Sequence, residues 1–147
     1  MKTHLTTIIA GAALASMLFA RDHSALNGTW TLVPAKSDFA GQPVVQTGSV
    51  TIYDREGVIT VTRKFEYKGV TDTYFYSDMT DSEHGATIHT GKELKSKTRW
   101  DHDVLKVTTT VSGAVTTESY TLNSDGVMTV NVERPDRKPI TLVFQRK

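Results

Sequence analysis

The chain predicts an all-β fold, an antiparallel up-and-down meander closed into a single barrel of about eight to ten strands. Three observations lead there. Short runs rich in Thr and Val alternate apolar with polar residues, which is the period of half-buried strands. Turn signals recur at the spacing of roughly 8–12 residues that sandwiches and barrels show. Helix-period apolar patterns are missing between the runs, so no crossover helix fits.

Residues 1–20 stand apart from that pattern. Lys2 precedes an apolar run from Leu5 to Phe19 that is broken only by small or hydroxylated residues and ends in small ones. The run is short for a bilayer span and reads as a cleaved secretory signal, with an uncleaved anchor as the alternative. Ala13-Leu14-Ala15 fits the A-x-A cleavage pattern, whereas cleavage after Ala20 leaves the polar Arg21-Asp22-His23 in front. The expected layout is a signal over 1–20 and a barrel domain over 21–147, exported to the periplasm or beyond.

The expected strands cover 28–33, 48–53, 58–67, 70–77, 86–89, 94–101, 104–112, 115–122, 127–134 and 139–146. Arg55-Glu56-Gly57, Tyr67-Lys68-Gly69, Ser112-Gly113-Ala114 and Ser124-Asp125-Gly126 supply Gly or Asp where φ turns positive or a side chain caps a turn. Trp100-Asp101-His102-Asp103 is a further tight reversal. Such short links join antiparallel neighbours.

Alternation assigns the faces. Ile59, Val61, Phe65 and Tyr67 share one, as do Leu105, Val107 and Val111, then Met128, Val130 and Val132, then Ile140, Leu142 and Phe144. The opposite faces are mostly Thr, Lys, Glu and Asp. One dry face per strand suits a sheet rolled on itself, and closure removes exposed edges. A two-sheet sandwich shares the same alternation and is the alternative.

Composition removes several functions. The chain has no cysteine, which excludes disulfides, thiol catalysis, Cys-bound metal and a lipidated-cysteine anchor. Without residues 1–20 one lysine is lost, leaving 16 Lys+Arg against 16 Asp+Glu. That balance lacks the basic field a nucleic-acid binder needs, and it argues against a stable membrane anchor on anionic lipid. The chain also carries no Gly-rich phosphate cradle, nucleophile elbow or zinc-hydrolase helix motif, so the reading is non-enzymatic, with no cofactor. Asn27-Gly28-Thr29 matches the N-glycosylation sequon formally.

Gly28-Thr29-Trp30-Thr31-Leu32-Val33-Pro34-Ala35-Lys36-Ser37-Asp38-Phe39 resembles the opening of a group of small exported bacterial proteins of lipocalin-like, or wider calycin-like, form. The resemblance implies a barrel with one open mouth. It also implies that Gly28 and Trp30 begin the first strand, that Trp30 plugs the closed end, and that a late arginine, Arg146 or Arg134, covers the indole by cation–π contact. Phe39 then falls in the loop leaving that strand, as a lid over the rim.

The candidate ligand residues are Arg63, Phe65, Tyr67, Tyr74, Tyr76 and Trp100. Tyr74-Phe75-Tyr76 puts aromatic rings on both faces of one strand. Arg63 shares the inward face of Ile59 and Val61, where a charge needs a partner; an anionic head group such as a carboxylate would serve. Ser96, Thr98 and Thr109 on otherwise apolar faces leave some room inside. Asp78, Asp81, Glu83, His84, His89 and His102 are the metal-capable residues, but their spacing matches no metal signature and a polar turn explains them. The expected function is an exported module binding a small apolar or amphipathic molecule. The alternative is an interaction or inhibitor protein with a filled barrel and a protein partner.

Overall fold

Each alternating run leaves backbone donors and acceptors along both of its edges, and pairing on both sides satisfies them. The computed structural model describes residues 23–79, 85–89 and 91–147. Among these, ten antiparallel strands close into one barrel. They are β1 (Gly28–Leu32), β2 (Thr47–Arg55), β3 (Val58–Tyr67), β4 (Val70–Met79), β5 (Gly85–His89), β6 (Lys92–Asp101), β7 (Val104–Val111), β8 (Ala114–Leu122), β9 (Met128–Arg134) and β10 (Arg137–Arg146). Every strand pairs with its sequence neighbours, and β1 closes the ring against β10 with Trp30 opposite Arg146. Closure excludes the sandwich. The signal assigned to 1–20 lies outside the described residues.

Turn chemistry sets the register. Glu56-Gly57, Lys68-Gly69 and Ser112-Gly113 each place two consecutive residues at positive φ. This is the type I′ pattern, whose twist matches that of the flanking strands. It locks β2 to β3 from Arg55↔Val58 to Thr47↔Glu66, and β3 to β4 from Tyr67↔Val70 onward.

The two ends of the barrel differ. At one end a 3₁₀ turn, His23–Leu26, runs into β1, and the Trp30 indole is fully buried beneath it. Trp30 Nε1 donates to the Leu26 carbonyl at 2.9 Å. Arg146 lies 4.2 Å over the indole and donates to the Asn27 and Ala25 carbonyls at 2.7 and 2.8 Å. Ile52, Leu105, Tyr120, Met128 and Phe144 pack below with essentially no exposure. Arg134, the other arginine considered for that contact, ends β9 at the opposite end of the barrel.

At that opposite end the loop between β1 and β2 turns back over the rim. Asp38 bridges Thr141, and the Gln42 side chain donates to the Lys138 carbonyl at 2.8 Å. Phe39 and Val45 are thereby buried, so Phe39 covers part of the rim on the β10 side. Gly48 has a steric role here, because a Cβ would stand 2.7 Å from Phe65 Cδ1.

Candidate functional site

Arg63 is the centre of the interior. Alternation along β3 turns it inward between Val61 and Phe65, and it retains only 7 % exposure. A charge so enclosed must be matched, and the match comes from across the barrel. Nη1 of Arg63 donates to Oε1 of Glu118 on β8, while Glu118 Oε2 accepts the Tyr120 hydroxyl at 2.8 Å. The guanidinium also lies over the Tyr74 ring at 4.2 Å and the Phe65 ring at 4.9 Å, both favourable cation–π placements. Its Nε has no hydrogen-bond partner among the described residues.

A cavity of about 60 Å³ opens beside this pair. Val61, Tyr76, Thr87 and Val107 line it with Arg63, and Thr116 and Arg134, nearer the open ends of their strands, line it toward the rim. Several waters fit, at roughly 10–15 Å³ each. The space is well below the roughly 300 Å³ at which small-molecule sites begin. Hydroxyls soften the wall: Ser96 pairs with Thr87 and contacts Thr109 at 3.3 Å.

Nearer the rim, His89 Nε2 meets Asp72 Oδ1 at 2.6 Å, and the His89 ring stacks on Tyr74 with centroids 3.8 Å apart. Burial pushes the Tyr67 and Tyr74 hydroxyls up from the usual phenol range, and the Arg63 and Arg134 guanidiniums pull them back. Both phenols therefore remain neutral donors at pH 7. The site thus combines an apolar floor, a matched ion pair at its centre and a cationic, phenol-bearing rim.

The six candidate residues divide. Arg63, Tyr74 and Tyr76 line the cavity. Tyr67 stands half-buried near the rim, and Phe65 packs in the core against Phe144, centroids 6.3 Å apart. Trp100 does not join them. It sits near the closed end, stacked on His23 at 3.7 Å, because β6 runs toward that end and places its last inward residue there. Of Tyr74-Phe75-Tyr76, Phe75 is the ring left outside, 41 % exposed.

The two metal-capable residues whose side chains are described, His89 and His102, do not converge. His89 ends β5 at the rim, whereas His102 turns the chain between β6 and β7 at the other end. The length of β6 separates them, on the order of 30 Å at 3.3 Å per residue. Asp81, Glu83, His84 and the Asp78 side chain lie outside the described residues. No group of three metal-capable side chains occurs among those described.

Glu118 and Arg134 were missed as site residues, and a signal for both existed. Glu118 lies two residues from the inward Tyr120, and Arg134 two residues from the inward Val132.

No family model matches the chain, and no curated protein matches it. Solved structures do. A Schistosoma mansoni fatty acid binding protein in complex with arachidonic acid is similar at 17 % identity and TM-score 0.65, covering 85 % of this chain and 98 % of that one. The REP1-NXSQ fatty acid transporter is similar at 18 % and 0.64, covering 84 % and 97 %. Human cRBP IV is similar at 19 % and 0.60, covering 83 % and 98 %. At such identities the likeness is one of fold: a ten-stranded calycin-like barrel.

Proposed function

We propose that this chain is an exported, non-enzymatic barrel that binds a small amphipathic molecule through the end opposite Trp30. The observation that carries the reading is the cavity beside Arg63, a buried cation with an unused Nε donor. Proteins of the same fold are described as a fatty acid binding protein holding arachidonic acid and as a fatty acid transporter, which supports an apolar ligand here. Trp30 and Arg146 seal the other end, so a ligand enters past Tyr67 and Tyr74. Export rests on the pattern of residues 1–20, and an intact mass of the exported protein tests it.

A neutral fluorescent probe, N-phenyl-1-naphthylamine, tests the binding. Saturable enhancement is expected, weakened by Thr109→Phe, which fills the cavity wall. No saturable signal from the wild-type protein overturns the reading.

The small volume of the cavity favours a second reading, a self-filled barrel that meets a protein partner. Phe75 and Ile88, register neighbours on the outer face of β4 and β5, are both more than 40 % exposed there. Absence of probe binding together with a partner recovered by pull-down would support it.

A further inference from the structure

The charges lining the cavity do not cancel. Two arginines, Arg63 and Arg134, stand against one carboxylate, Glu118. Glu118 is fully engaged, with one oxygen on Arg63 and the other on the Tyr120 hydroxyl. The nearby Asp72 is held by His89. Arg134 is half-buried at the end of β9 and has no ion-pair partner among the described residues. The cavity therefore has one cation in excess, placed at its rim.

Depth decides where an anion can sit. A carboxylate carried down to Arg63 meets Glu118 already in place. Two like charges at contact distance in a half-enclosed site repel strongly, and Arg63 has one charge to offer both. At the rim the balance reverses: Arg134 is unmatched, and the neutral Tyr67 and Tyr74 hydroxyls are available as donors. An arginine and a carboxylate in such a setting form a charge-assisted, two-pronged contact.

Resting on the binding reading above, we infer that the barrel selects a monoanion, a carboxylate on a short apolar body. It is held head-outward on Arg134, with the body lying along Val107 and Val111 on the rim side of the Arg63–Glu118 pair. Arg63 and Glu118 stay paired beneath it and set the depth limit. Arg134 is then the residue that determines charge selectivity.

Octanoate, octan-1-ol and octylamine have equal chain length and differ only in the head group. Calorimetric titration of the full barrel at low ionic strength should give octanoate a preference of about tenfold or more over octan-1-ol, with octylamine weakest. Arg134→Gln should collapse that preference to less than about threefold, and Arg134→Lys should keep only part of it, because lysine supplies the charge without the two-pronged contact. Circular dichroism checks that both variants stay folded. Equal binding of octanoate and octan-1-ol, or a preference that survives Arg134→Gln, overturns the inference and leaves the binding reading standing. Failure of all three ligands to bind removes both.

Discussion

Gly28 and the Arg146 guanidinium share one corner of the closed end: a Cβ at position 28 would lie 2.8 Å from Arg146 Nη1. Gly28 also holds φ at +126°, where L side chains are strained. The glycine of Gly28-Thr29-Trp30 is thus what lets an arginine lie flat over the tryptophan.

Gly28→Ala should cost about 2 kcal/mol through backbone strain and displacement of the guanidinium. Arg146→Ala should cost a similar amount, about 2 kcal/mol, by removing two charged hydrogen bonds and the cation–π contact. The double variant should lose less than the sum, because the clash with Nη1 is already gone. Urea unfolding of the four proteins measures this coupling, and strictly additive losses would show that the two residues do not share the corner.

Glu118→Ala should destabilise the barrel by about 3–5 kcal/mol, since Arg63 would keep its charge inside with no counterion. Arg63→Met combined with Glu118→Leu should recover most of that loss by replacing the pair with apolar volume. Guanidinium unfolding separates the cases. Single variants within about 1 kcal/mol of wild type would mean the pair is solvated.

Burial raises the Tyr120 hydroxyl above the usual phenol value, with the Arg63 charge opposing. The folded state therefore favours the protonated phenol. That contribution is present in full below the unfolded pKa of about 10 and is lost as pH rises toward the folded value. Tyr120→Phe should cost about 1 kcal/mol at pH 7 through the lost bond to Glu118. The same variant should lose stability less steeply than wild type above pH ~10. Urea midpoints at neutral and alkaline pH check both signs, and parallel profiles would contradict the burial of this hydroxyl.

The fold was legible because period-two alternation is local. Ile59, Val61 and Phe65 reveal their face without knowledge of any other strand, and Glu56-Gly57 or Lys68-Gly69 announces its own turn. Strand ends were less legible: β6 begins at Lys92 and β10 at Arg137, where lysine and arginine at the rim look like loop. The site was legible only in part. Arg63 shows its need for a counterion in its own strand, but Glu118 lies 55 positions away, and only ring closure brings the two strands face to face. His89 and His102 illustrate the converse. They are close in sequence, and one whole strand carries them to opposite ends.

Ring closure has a kinetic consequence. Eight of the nine pairings between sequence neighbours form across short links and the ninth, β1 with β2, across the loop 33–46, whereas the Arg146–Asn27 hydrogen bond at the seam joins residues 119 positions apart. Bringing such distant positions together carries a closure entropy of roughly 4 kcal/mol, against about 1 for a turn. The seam therefore zips last. Until it does, β1 and β10 are two free edges able to pair with another copy of the chain. The Trp30–Arg146 corner, placed on that seam, acts as the latch that ends the interval in which this chain is open to aggregation.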